Sequence, residues 1–138
     1  MYFYTASALT YYHKTNQYDK AIKWRNIFTE WCDDHNHKLF NPAKTFQIEQ
    51  NLTYKERNCV DQNKHYLDKA DILIVDTNDI MESAGTQWEL CYASMVRRIP
   101  IIAFGELSWS PHINYGISHQ CKDIYEVIEL LDLMYSQE

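Results

Sequence analysis

Only three glycines occur in 138 residues, at Gly85, Gly105 and Gly116, too few and too scattered to write the Gly-rich loop of a dinucleotide fold or a P-loop. Two large classes of nucleotide binder are thereby excluded. Positive charge is also short: 13 Lys and Arg against 19 Asp and Glu leave a formal net charge of -6, so a surface that coats a nucleic-acid polymer is not expected. Cys32, Cys59, Cys91 and Cys121 are widely separated, with no C-x-x-C pair and no nearby histidine cluster. They read as reduced thiols, and no metal is expected. No apolar run exceeds the length of Ile72 to Val75, far short of a membrane span or a secretory h-region. A cytoplasmic protein with no membrane partner is the expectation.

What the chain does have is a composition suited to a packed core: 46% apolar residues, 14% of the whole being aromatic, in a length that fits one domain over residues 1–138. Tyr2 to Ala6 reads as a first strand, followed by a loop over Thr10 to Gln17. Ile22, Ile27, Phe28 and Trp31 predict a helix with Asp19 as a possible N-cap and His35-Asn36 as its stop. Lys38 to Phe40 is a short strand ended by Asn41-Pro42. Phe46 to Arg57 is ambiguous; Cys59 to Ala70 predicts a helix through Val60, Tyr66 and Leu67. Asp71 to Asp76 has a continuous apolar centre, the mark of a strand buried on both faces of a parallel sheet. A loop over Thr77 to Glu82 and a helix over Ala84 to Arg97 follow, with Trp88, Leu90, Cys91, Ala93 and Met95 expected inside. Ile99 to Phe104 is the next buried strand, Gly105 to Lys122 a long loop, and Asp123 to Tyr135 a closing amphipathic helix through Ile124, Val127, Ile128, Leu131 and Met134. This alternation specifies an α/β sandwich.

In such sheets the ligand crevice lies beyond the carboxyl ends of the strands. The segment Ser83-Ala-Gly85-Thr86-Gln-Trp-Glu89 places two hydroxyls and a glycine at a helix N-terminus, where unpaired N–H groups favour an anion or sugar oxygens. Glu89, about one turn further in, is held rigidly enough to aim at a sugar carbon as a glycosyl-transfer nucleophile. The same pattern also describes a simple cap followed by a solvated acid.

Tyr4-Thr-Ala6-Ser, the strand Ala70-Asp71-Ile-Leu-Ile-Val, and above all Ser83-x-Gly85-Thr86-x-x-Glu89-Leu-x-Tyr92-Ala93 resemble the nucleoside 2-deoxyribosyltransferase superfamily, including its 2'-deoxynucleoside 5'-monophosphate N-glycosidases. The resemblance runs from the first strand through Phe104. It implies a flavodoxin-like three-layer sandwich on a mainly parallel sheet of about five strands, no cofactor, cleavage of the bond between base and deoxyribose, and a covalent glycosyl-enzyme on Glu89. It also implies that Tyr4 positions that carboxylate and that Ser83, with Gly85 and Thr86, lies near sugar or phosphate; Asp76 could hold a sugar hydroxyl, whereas Asp71 is expected to terminate the preceding helix. Sites in the family are completed by a neighbouring subunit, so a homodimer or larger homo-oligomer is expected, with Ser108, Ser110 and Asn114 as donors and Trp109 and Tyr115 as stacking or interface residues.

Two departures stand out. Where the family usually has an acid serving the nucleobase, this chain has Asn63, which can hydrogen-bond a base but cannot deliver a proton; Asp61, two residues away, falls roughly 200° round the helix. The arginine that follows the first strand in the hydrolases has no match: Thr10 or a neighbour stands there, and Lys14 is the nearest cation. The expected substrate is a small nucleoside or nucleotide. The alternatives are a nucleotide-binding or sensing module with weak or no catalysis, motivated by Asn63, and a purely structural α/β protein.

Overall fold

The structure is a computed structural model and describes residues 1–43 and 56–135. Its elements in chain order are β1 (Tyr2–Ala6), α1 (Leu9–Lys14), α2 (Tyr18–Asp34), β2 (Lys38–Phe40), α3 (Glu56–Lys69), β3 (Ile72–Asp76), α4 (Ala84–Tyr92), β4 (Ile101–Phe104), α5 (Pro111–Asn114), β5 (His119–Cys121) and α6 (Ile124–Tyr135). A short 3-10 turn, Ile80–Glu82, precedes α4, and a widened π turn, Ala93–Arg97, prolongs it. The five strands form one sheet in the order β2-β1-β3-β4-β5, and every pair is parallel. The chain goes outward from β1 to β2 and then returns to build β3, β4 and β5 on the other side. That reversal opens a crevice past the carboxyl ends of β1 and β3.

Strand alternation divides the core into two layers. Phe3, Ile72, Ile74, Ile102 and Phe104 face α2 and α6, where Trp24, Phe28, Val127 and Leu131 meet them. Tyr4, Ala6, Leu73, Val75, Ile101 and Ala103 face α3 and α4 through Leu67 and Leu90. Helices on both faces cover the sheet, so β3 is buried at every position, as its apolar run requires. Together these features make a flavodoxin-like three-layer α/β sandwich. In α2 the buried stripe is Ala21, Arg25, Phe28 and Cys32, at steps of four, three and four along the helix. Asn36 ends it with φ at 59°, a left-handed conformation that asparagine tolerates.

Several element expectations are corrected. Thr10 to Gln17 is not all loop: α1 occupies its first part, packing Leu9 and Tyr12 against Tyr18 and Ala21 of α2, two apolar residues too few to show a period in sequence. Asp19 lies inside the first turn of α2 rather than capping it, and Gln17 precedes the helix without a side-chain cap. Gly105 to Lys122 contains α5 and the edge strand β5, and β5 buries only Cys121, leaving no apolar alternation to read. Trp88 and Met95 point outward rather than inward, and Val60 and Met134 are likewise exposed. Met95 follows Trp88 by seven residues, so the two share the helix face opposite buried Thr86, Leu90 and Ala93. Strand β4 begins at Ile101 because Pro100 has no N–H to give the ladder. Asp71 does not cap α3; its carboxylate accepts the N–H of Tyr2 and ties the start of β1 to β3. The ambiguous stretch Phe46 to Arg57 falls mostly outside the described residues. Among the described residues no helix is long and apolar enough to cross a membrane.

Candidate active site

The crevice holds a cavity of about 380 Å³. Its floor is Glu89 from the second turn of α4, which is 7% exposed. The Tyr4 hydroxyl, on the face of β1 turned toward α4, donates a buried hydrogen bond to Glu89 Oε2. Burial pushes the Glu89 carboxyl up to about 7, and the bond from Tyr4 and the positive charge of Arg25 resist that rise. Burial first, then the charge and hydrogen bond of Glu89, drives the Tyr4 phenol far above its ordinary value, so it remains a donor. The arrangement ties back Oε2 and leaves Oε1 without that bond in a residue that lines the cavity.

One wall is the start of α4. Ser83 caps the helix, its Oγ accepting the Thr86 N–H at 3.2 Å and sharing a hydrogen bond of 2.8 Å with Thr86 Oγ1. Ser83, Gly85 and Thr86 all line the cavity, and a Cβ built on Gly85 would meet nothing within 4 Å. The unpaired N–H groups of the first helical turn thus sit beside open space, a setting that suits oxygen-rich or anionic groups. A second wall is α3, which brings Cys59 and Asn63, one turn apart, to the same space. Among the described residues Asn63 Nδ2 reaches only the Cys59 sulfur, at 4.0 Å, and the buried Asn63 Oδ1 has no partner. An orphaned acceptor of this kind is costly unless a ligand donor satisfies it. Asp61 does not line the cavity.

Of the residues proposed from sequence, the fold therefore brings together Tyr4, Asn63, Ser83, Gly85, Thr86 and Glu89. It does not bring Asp76, Ser110 or Asn114 to them. Asp76 shares the strand face of Ile72 and Ile74 and so lines a different cavity, of about 720 Å³, between α2 and α6. There its Oδ1 accepts the Asn78 N–H at 2.9 Å, and burial raises its carboxyl to about 6. Ser110 precedes α5 and Asn114 ends it: the Ser110 N–H donates to Ser108 Oγ, and Asn114 Nδ2 donates to the Ser108 carbonyl at 2.7 Å. Trp109 and Tyr115 beside them are 80% and 78% exposed, the surface positions that contact with another molecule would cover. Among the described residues no group of His, Cys, Asp and Glu could hold a metal ion.

The residue that sequence reasoning missed is Arg25. Thr10 and Lys14 do line the cavity, as does Arg25 from the buried stripe of α2, so among the described residues two cations stand where the sequence offered one. Arg25 is fully buried. Its Nη1 donates to Thr5 Oγ1 at 2.7 Å, to the Thr5 carbonyl and to Asn41 Oδ1, and its Nη2 donates to Ser7 Oγ at 2.9 Å. Burial lowers its own ionisation to about 10, which leaves it charged at neutral pH. The signal was present: an arginine interrupting the apolar positions Ala21, Phe28 and Cys32 must point into the protein.

The sequence matches no protein-family model, and no curated protein matches it significantly. Solved structures do match. A CMP N-glycosidase from Clostridium botulinum superposes with a TM-score of 0.66 at 13% identity, covering 96% of this chain and 98% of that one. A 2-deoxyribosyltransferase from the psychrotolerant bacterium Bacillus psychrosaccharolyticus superposes with a TM-score of 0.62 at 19% identity, covering 93% and 90%. At these identities the agreement, over nearly the full length of each chain, is one of fold.

Proposed function

We propose that this protein belongs to the nucleoside 2-deoxyribosyltransferase superfamily and cleaves the N-glycosidic bond of a 2'-deoxynucleoside or its 5'-monophosphate through Glu89. The observation that carries the reading is the buried Tyr4–Glu89 pair facing a cavity beside an open helix N-terminus. In the first step Glu89 Oε1 attacks C1' as the bond to the base breaks, its electron pair leaving with the base. Asn63 can hold the departing base by hydrogen bonds but cannot protonate it, so the proton comes from solvent. In the second step water or another base attacks C1' from the vacated side and Glu89 is released. The solved structures of the same fold include a glycosidase and a transferase by name, which supports this class of reaction. Ser83, Thr86 and the α4 amides would receive sugar or phosphate oxygens, with Lys14 and Arg25 nearby for charge. A second copy of the chain is proposed as the partner, meeting the face of Trp109 and Tyr115 and bringing Ser110 and Asn114 toward the neighbouring cavity.

The decisive assay incubates the protein with deoxynucleosides, their monophosphates and CMP, with and without an acceptor base, and follows release by chromatography. Base release that vanishes in Glu89→Gln supports the reading; release at the parent rate in that variant rejects it. The orphaned Asn63 favours one competitor, a nucleotide-sensing module. Calorimetric binding without any released base would select it.

A further inference from the structure

Arg25 is buried among neutral groups. Among the described residues its four hydrogen bonds go to two hydroxyls, a carbonyl and an amide, Nε has no partner, and no carboxylate bonds to it. Removing a guanidinium from water costs several kcal/mol when no ion pair repays it. An apolar side chain at this point of the α2 stripe would pack without that cost, so packing alone does not account for the charge. What the charge does reach is Glu89, together with Tyr4 and Asp76.

We propose that Arg25 is a positioning residue acting through Glu89: locked between β1 and the end of β2, it is the counter-ion of the carboxylate and sets the pH above which Glu89 can attack. This rests on Glu89 being the nucleophile. The hydrogen bonds that the guanidinium donates to Thr5, Ser7 and Asn41 spend its Nη donors away from the carboxylate, so it supplies field without tying up the attacking oxygen. That differs from a direct salt bridge, which would stabilise Glu89 but block it. Among the described residues the other ionisable groups facing the pair are Tyr4 on β1, Tyr11 and Lys14 on α1, Tyr18 on α2, Cys59 on α3, Glu82 ahead of α4, and Asp76 at the end of β3. Lys14 is exposed and Arg25 is buried, so of these two Arg25 is the less screened.

The test compares Arg25→Gln, which removes the charge, with Arg25→Lys, which keeps it. Two readouts are taken: the acid limb of kcat/KM for base release, and the carbon-13 titration of the Glu89 carboxyl, assigned by its loss in Glu89→Gln. Arg25→Gln should move both midpoints up by roughly 1 pH unit or more, while Arg25→Lys stays close to the parent. A midpoint unmoved in folded Arg25→Gln overturns the proposal, even if its rate falls. Should that variant not fold, Arg25→Met decides: it removes the charge and keeps an unbranched, adaptable side chain at the same buried point of the α2 stripe. An upward shift supports the proposal, and an unchanged midpoint rejects it. If no substrate releases base, the functional reading fails, whereas the carbon-13 midpoints still decide whether Arg25 governs Glu89.

Discussion

Two acids lie near the carboxyl edge of the same sheet, on opposite faces, and both are buried. Glu89 is raised to about 7 and Asp76 to about 6, and Arg25 acts on both. Their surroundings differ in what holds the carboxylate. Asp76 is bound by the N–H of Asn78, two residues on, so it closes the turn that leaves β3. Glu89, on α4, is bound by a side chain from β1, 85 residues away in sequence, and shares a cavity with Ser83, Gly85 and Thr86 at the start of its helix. A perturbed carboxylate is thus not by itself a catalytic group; the difference is whether its partner serves the local backbone or aims it at open space.

The comparison is broken most sharply by exchanging charge for amide at each acid. Glu89→Gln should lower base release by at least about a thousandfold, some 4 kcal/mol of transition-state stabilisation, with the fold intact by circular dichroism. Next comes Tyr4→Phe. Losing a hydrogen bond to a charged group costs about 1.5–3 kcal/mol, so kcat/KM should fall about 10- to 100-fold, and because that bond lowers the Glu89 pKa the acid limb should move to higher pH. A fall with an unmoved limb would show that Tyr4 only packs.

Asp76→Asn should change kcat/KM by no more than about threefold, since the amide oxygen can still accept the Asn78 N–H. Its effect belongs in stability. In the unfolded chain both acids ionise near pH 4, whereas the fold holds their protons to about 6 and about 7. Across that interval the native state binds more protons, so the stability each contributes is full below about pH 4 and is lost as pH climbs through its native value. The parent melting temperature should therefore decline between pH 5 and pH 8. Each single amide variant should flatten part of that decline, with the Asp76 part ending at lower pH. A decline left unchanged by Asp76→Asn would mean that the carboxyl titrates as it does in water.

How much of this was readable in sequence follows from the range of each interaction. The buried strand at Ile72 to Val75, the helix stop at Asn36 and the Ser83 cap are local, and the chain announces them. That Glu89 lines a cavity was legible because its helix start is equally local. The placement of Asp76 was missed although period two already put it with Ile72 and Ile74, on the face away from α4. Arg25 was missed because its partners, Thr5, Ser7 and Asn41, come together only when β1, β2 and α2 are assembled. The short elements α1 and β5 bury too few side chains to leave a pattern, and their stability comes from what they pack against.

The smallest expected effect separates packing from recognition at the wall beside Glu89. Gly85 is the second residue of α4, and a methyl group there meets no protein atom within 4 Å. Gly85→Ala should therefore stabilise the protein by roughly 0.4–1 kcal/mol through the smaller entropy of the unfolded chain and better helix propensity. If the α4 amides receive substrate oxygens, the same methyl occupies the approach to them, and KM should rise severalfold while kcat changes little. A higher melting temperature with an unchanged KM would show that substrate does not approach this turn, which would leave Glu89 as the cavity's functional group and remove the helix start from the site.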